Sequence, residues 1–262
     1  MSDAAPGVSG MSDVALARHI ADTAGRILVE LQDSGLFDGK ALGKAGDRTA
    51  NAFIMEALKT NRPDDAILSE EEQDKPERLQ AKRVWIVDPL DGTREYGEKR
   101  TDWAVHIALS IDGEPAIGAV ALPGLPLTLC SGRPEIVPPA AKKLRMLVSR
   151  TRPAAEAVAV AKALDAELVP MGSAGAKAMA VLRGEADIYL HTGGQYEWDN
   201  CAPAAVALAA GLHASRADGT PLRYNNADTY LPDLLICRPE HAEQVLRALR
   251  LAEPVKGYSK VR

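Results

Sequence analysis

The chain reads as a layered α/β fold built in two halves, and three observations predict it. Trp103, Val105, Ile107, Leu109 and Ile111 alternate strictly, and an Asp112-Gly113 turn leads back into Ala116–Leu122, so the first half holds an antiparallel sheet. Val84-Trp85-Ile86-Val87 is a continuous apolar run rich in β-branched residues, the mark of a strand buried on both faces. From Leu144 onward, short apolar runs alternate with helical stretches, which is the pattern of a layered α/β unit.

Composition sets the bounds. With 262 residues, 46% hydrophobic and 26% charged, the chain can bury a large core in one large or two smaller domains. A net charge of −5 argues against nucleic acid held along its backbone. Cys130, Cys201 and Cys237 are odd in number and widely spaced, without a C-x-x-C pair, which favours reduced thiols in the cytoplasm and speaks against zinc. The five histidines show no H-E-x-x-H spacing. No apolar run approaches the length of a membrane span, and Met1 to Ser12 is small and polar, a loose tail without the apolar core of a signal peptide.

Taken in order, Asp13 to Leu31 carries apolar residues at helical spacing, with Ser12 or Asp13 as cap and Gly35 beyond the end. Gly39 to Gly46 reads as a glycine-bearing loop, and a second helix is expected from Asp47 or Thr49 to just before Pro63. Ala66-Ile67-Leu68 is a short strand running into Ser69-Glu70-Glu71-Glu72, and Gln73 to Lys82 is a charged connection. Trp103 to Ile111 is expected to be half-buried, and Leu127 to Cys130 adds a strand to its sheet. The prolines of Gly132 to Pro139 place a boundary between halves spanning 12–131 and 141–262. Beyond it, strands are expected at Leu144–Val148, Glu167–Val169, Asp187–Leu190 and Leu234–Cys237. Helices are expected at Pro153–Leu164, Ser173–Leu182, Trp198–Ala210 and Glu240–Leu251.

Chemistry concentrates where strands and loops meet helices. Asp88 and Asp91 end the buried strand, with Pro89 between them and Gly92 after them. Proline withholds a backbone donor and glycine permits positive φ, so the chain turns there with both acids at the strand's C-terminal edge. An acidic surface turn is the plain alternative. Were Glu70 and Asp199 to converge on them, each like-charged pair at about 4 Å would repel by about 4 kcal/mol at an effective dielectric near 20. Such a cluster protonates or takes up divalent cations, and an all-oxygen carboxylate site suits Mg²⁺.

Trp85-Ile86-Val87-Asp88-Pro89-Leu90-Asp91-Gly92-Thr93 resembles the W-[IV]-[IV]-D-P-[IL]-D-G-T signature of the inositol monophosphatase family of Mg²⁺-dependent, lithium-sensitive phosphatases. Ser69-Glu70-Glu71 resembles its [GS]-E-E motif, and Trp198-Asp199 through Ala209-Ala210-Gly211 its W-D-x-x-A…AG motif, each in the family's order. The resemblance implies an α-β-α-β-α sandwich with the active site between the halves, and a homodimer. It assigns Glu70, Asp88 and the Leu90 carbonyl to one Mg²⁺ and Asp88, Asp91 and Asp199 to a second. Gly92 and Thr93, opening a helix, would face the phosphate. Thr93 with Glu70 or Asp47 would orient the attacking water. The family places its helix acid three residues before a threonine, followed by Ala-Asp; here Asp47 lies two before Thr49, and Asn51 or Ala52 replaces the final acid. Asp47 therefore reads equally as a helix cap, and a third ion hangs on its role.

Three further stretches resemble the CysQ-like branch, the bacterial 3′(2′),5′-bisphosphate nucleotidases: Leu147-Val148-Ser149-Arg150-Thr151-Arg152, Gly172-Ser173-Ala174-Gly175-Ala176-Lys177 and Gly219-Thr220-Pro221-Leu222-Arg223-Tyr224-Asn225. They imply removal of the 3′-phosphate of 3′-phosphoadenosine 5′-phosphate or its phosphosulfate, in sulfate assimilation. Arg150, Arg152 and Lys177 would meet the second phosphate, and Ser149 or Ser173 the ribose or base. Solvated strand-end and helix positions are the alternatives for the three cations. Trp198 and Cys201 read as core packing. Inositol-1-monophosphatase or fructose-1,6-bisphosphatase activity is the competing enzymatic reading.

Overall fold

The computed structural model describes residues 10–134 and 142–252. The first nine residues of the expected tail and most of the Gly132–Pro139 boundary lie outside them. Two helices open the chain, α1 (Asp13–Asp33) and α2 (Gly39–Asn61). Ser12 caps α1 through its hydroxyl, which accepts from the Ala15 N–H. The first sheet runs β1 (Ala66–Ser69), β2 (Arg83–Asp91), β3 (Ala104–Ile111), β4 (Glu114–Leu122) and β5 (Leu127–Cys130), in that spatial order. β1 is parallel to β2, and the remaining pairs are antiparallel. A 3₁₀ turn (Pro76–Gln80) precedes β2, and a single-turn helix α3 (Thr93–Gly97) follows it.

The second sheet contains β6 (Arg145–Ser149), β7 (Glu167–Met171), β8 (Ile188–Thr192), β9 (His213–Ser215) and β10 (Asp233–Cys237), ordered β7-β6-β8-β10-β9. Helices α4 (Ala155–Ala163), α5 (Ala174–Leu182), α6 (Glu197–Ala209) and α7 (Pro239–Leu251) complete the fold. α1 and α2 pack on one face of the first sheet, α5 and α6 lie between the sheets, and α4 packs with α7 beyond the second. The layers therefore run α-β-α-β-α. One apolar cluster joins the halves, with Ile86, Ala104 and Val120 of the first sheet meeting Met179, Val206 and Leu234 of the second half.

Three expectations change. Gly39 to Gly46 is helix, the first two turns of α2. Its glycines serve close packing instead of a loop: a Cβ on Gly43 would sit 2.7 Å from Thr93 Cγ2, and one on Gly46 would sit 2.7 Å from the Tyr96 ring. Asp47 consequently lies inside α2 and is not its cap; Asp38 takes that position. The β3 strand is buried along both faces up to Ile111, not half-buried, because Ala104, His106, Ala108 and Ser110 pack against the middle helix layer. β9, only three residues long, carries too short a pattern to be read from the sequence.

Candidate active site

β2 continues through Pro89 to Asp91, and its pairing with β3 slips between Asp88 and Asp91. This is a bulge, the place where a strand tolerates proline. The Asp88 side chain accepts from the Leu90 N–H at 3.0 Å, which fixes the bend locally. Gly92 then sits at φ +90°, which a side chain rarely adopts, and a Cβ there would lie 3.0 Å from Ser173 and 3.3 Å from Trp103. The turn presents Asp88 and Asp91 beside the first turn of α6, where Asp199 stands. One carboxylate oxygen from each of the three lies within 4.8 Å of the others.

Glu70 follows β1, the parallel neighbour of β2, and its N–H donates to Val87 O at 3.2 Å. Burial first, then the Asp199 charge, raise Glu70 to about 7. Burial and then the Asp91 charge raise Asp199 to about 7 as well. Asp88 is pushed well above the carboxylate range by burial and by Glu70, Asp91 and Asp199. Asp91 alone moves down. Burial opposes this, but the His106 ring and the Gly175 N–H at the start of α5 outweigh it. Asp88 and Asp91 are buried, Asp199 is partly buried and Glu70 stands exposed at the edge of the cluster. This all-oxygen donor set, three members of which resist ionisation, fits a site for hard divalent cations. Leu90 O faces Thr93, whose hydroxyl lies 3.2 Å from it and 3.3 Å from Asp47 Oδ1. Asp47 is raised to about 7, by burial and then by Glu71.

A cleft of about 280 Å³ opens over Asp91, Gly92, Thr93 and Asp199. Both halves line it. The expected contacts Ser149, Arg150, Arg152, Ser173 and Lys177 all border it, each with other engagements. Arg150 donates to Glu95 at 2.9 Å and to Glu98 at 2.8 Å. Arg152 is exposed, and its N–H is held by Ser149 Oγ at 3.3 Å. Ser173 caps α5, its hydroxyl accepting from Ala176 N–H at 2.9 Å. Lys177 is buried; its Nζ donates to the carbonyls of Gly172 and Ser173 and lies 5.3 Å from the Tyr189 ring centre. Burial lowers this lysine to about 8. The α3 helix is a single turn, so local N–H groups, not a macrodipole, face the cleft there.

Some of the site was missed from sequence. His106 is fully buried, with Nδ1 3.0 Å from Trp198 O and Nε2 3.2 Å from Asp91 Oδ2. Burial lowers its pKa, but the Asp91 carboxylate more than reverses this. It occupies the β3 face read as wet, where neighbours as small as Ala104 and Ala108 were the available signal. Tyr189, His191 and Gln195 also line the cleft, and nothing in their spacing marked them. Trp198 is partly buried and stacks on Tyr196 at 4.9 Å, and Cys201 is a fully buried thiol, which burial pushes well up.

Comparison with known proteins agrees with this geometry. The model of the inositol monophosphatase family matches residues 32–253. The 3′-phosphoadenosine 5′-phosphate phosphatase of Mycobacterium leprae is 49% identical over 92% of this chain and 94% of its own length. The 3′(2′),5′-bisphosphate nucleotidase CysQ of Escherichia coli is 32% identical over 71% and 81%. Among solved structures, CysQ from Bacteroides thetaiotaomicron superposes with a TM-score of 0.80 at 25% identity, covering 88% of this chain and 99% of that one. An α-β-α-β-α sandwich that gathers Asp88, Asp91 and Asp199 beside Glu70, and a family match along most of its length, make this chain a member of the inositol monophosphatase family.

Proposed function

We propose that the chain is a Mg²⁺-dependent phosphomonoesterase that removes the 3′-phosphate of 3′-phosphoadenosine 5′-phosphate, or of its phosphosulfate, leaving AMP or adenosine phosphosulfate in sulfate assimilation. The observation that carries this reading is the convergence of Asp88, Asp91 and Asp199 within 4.8 Å, with Asp91 and Asp199 lining a cleft that Thr93 also lines. The names of its relatives support the substrate class. Glu70, Asp88 and Leu90 O would hold one Mg²⁺, and Asp88, Asp91 and Asp199 a second; a third would need Asp47 or Glu71. When bound, the ions supply Lewis-acid stabilisation of phosphoryl charge and make the attacking water acidic.

The remaining work falls to the chain. The Thr93 hydroxyl donates toward Asp47 and presents its lone pairs to the water. Asp47, raised to about 7, is poised to take up the proton near neutral pH. Backbone N–H groups of Gly92 and Thr93 orient the phosphate. Arg152, exposed at the rim, is the cation with least to give up in meeting a second phosphate, whereas Arg150 must release Glu95 and Glu98. Ser149 and Ser173 would contact the ribose or base, and Lys177 would act through the carbonyls it anchors. The protein would be cytoplasmic and homodimeric, with 12–131 and 141–262 as its two halves.

Side-by-side turnover tests the substrate. The bisphosphate nucleotide should be hydrolysed faster than inositol 1-phosphate and fructose 1,6-bisphosphate, Mg²⁺ should be required, and millimolar lithium should inhibit. Faster release from inositol 1-phosphate would overturn the substrate assignment while leaving a phosphatase.

A further inference from the structure

Arg78 is a deeply buried cation outside the cleft. It sits in the 3₁₀ turn of the charged connection, and 1% of its side chain is exposed. Burying a guanidinium is costly unless every donor finds an acceptor. Here the fork is spent on two different segments. Nε and Nη2 grip Asp74 at 2.6 and 2.9 Å. Nη1 donates to Asn225 Oδ1 at 2.8 Å, and Nη2 to Asn226 O at 2.9 Å. Asn225 answers with its own amide, donating to Arg78 O at 3.0 Å and Ala81 O at 3.4 Å.

The same two asparagines hold a buried acid. Asn225 N–H donates to Glu197 Oε2 at 2.7 Å, and Asn226 N–H and Nδ2 donate to Oε1 at 2.8 and 2.7 Å. Glu197 is fully buried and opens α6, two residues before Asp199. The Asn225 backbone bends to φ +62° to make both connections. A closed path therefore runs from the segment after Glu70, through Arg78 and Asn225, to Glu197 and Asp199. None of Arg78, Asn225 or Glu197 lines the cleft. The Pro221-Leu222-Arg223-Tyr224-Asn225 stretch, which the sequence offered as a sign of substrate class, acts here as the middle of this path.

We propose that Arg78, Asn225 and Glu197 form a positioning latch that sets the separation of Glu70 and Asp199 and thereby the affinity of the acid cluster for divalent cations. It rests on the reading of these acids as metal ligands. Glu70 and Asp199 repel each other, and they sit on separate segments that only tertiary contacts hold together. A latch of buried charge-assisted bonds resists their drift apart. Residues hydrogen-bonded directly to metal ligands are commonly worth about ten- to a hundredfold in affinity, and the latch acts one step further out, through the backbone that carries them.

The test is Mn²⁺ binding, followed by electron paramagnetic resonance on the purified chain at 25 °C, beside the melting temperature. Arg78→Met should weaken Mn²⁺ binding about tenfold or more. Asn225→Gly accepts the positive φ, deletes the bridging amide and should weaken binding in the same direction, which keeps the test alive if Arg78→Met fails to fold. Val245→Ala, a cavity in the distant α4–α7 layer, supplies a destabilised control with wild-type affinity. Arg78→Met or Asn225→Gly binding Mn²⁺ as tightly as wild type while folded would overturn the latch and leave the metal reading intact. A wild-type chain with no saturable Mn²⁺ site would overturn both.

Discussion

Asp199→Asn should make the metal-free protein more stable while destroying its activity. Asp199 is raised from 3.8 to about 7 in the fold, chiefly by burial and then by Asp91. An acid whose folded pKa is raised destabilises the fold as pH climbs from the unfolded value through the folded one. At pH 8 the full difference applies, which at 1.36 kcal/mol per unit is about 4 kcal/mol. Asparagine keeps the oxygen that accepts from Tyr196 N–H, a 2.7 Å bond in the wild type. Exchanging its charge-assisted form for a neutral one costs about 1 kcal/mol. The net gain is about 3 kcal/mol, or roughly 6–12 °C in melting temperature for a chain of this size. The assay is a thermal melt at pH 8 in EDTA and again in Mg²⁺. Wild type should rise on adding Mg²⁺ through mass action, the variant should rise far less, and the order of the two should close or invert. A variant that melts below wild type in EDTA, or gains as much from Mg²⁺, would refute the claim that burial, reinforced by the Asp91 charge, makes the ionised Asp199 destabilising in the absence of metal.

Thr93→Ala should lower kcat by about 10²- to 10³-fold with KM little changed, in steady-state assays, because in the proposed mechanism the hydroxyl orients a group that matters only in the transition state. Asp47→Asn should flatten the rise of activity with pH near 7, since the proposed mechanism makes its carboxylate form the proton acceptor, and that form fills as pH rises through the folded value of about 7; an unchanged pH profile would assign that limb elsewhere. Gly43→Val should cost about 1–3 kcal/mol in urea denaturation and reduce kcat, as the new side chain drives into Thr93. Asp13, although burial pushes it up, is held below the usual carboxylate range by Arg62 and Arg83. Its contribution is complete well above the ordinary value of 3.8 and fades as pH falls through the lowered folded value, so Asp13→Asn should be less stable than wild type at pH 7, with the gap closing as pH falls below 3.8.

Much of the fold was legible because burial leaves a periodic trace. The Val84–Val87 run, the β3–β4 hairpin and the helices of the second half lie where spacing put them, within one to three residues at most ends. The misreadings share one cause. Gly43 and Gly46 look like loop residues until α3 is seen pressed against them. The small residues of β3 look like a wet face until the middle helix layer covers them. Local pattern records what a residue prefers, and here a neighbour distant in sequence overrode the preference.

The sequence by itself determined the bend at Asp88–Asp91, since Pro89 and Gly92 act on their own backbone. It also identified the family, because the signature residues are contiguous. Only the tertiary structure decided which acids meet. Glu70, Asp91 and Asp199 stand on segments whose approach depends on parallel pairing of β1 with β2 and on α6 lying across the first sheet. Tertiary packing also chose the supporting cast of His106, Arg78, Asn225 and Glu197. Hydrogen bonds between residues far apart in the chain follow from packing of whole layers, and no local spacing encodes them.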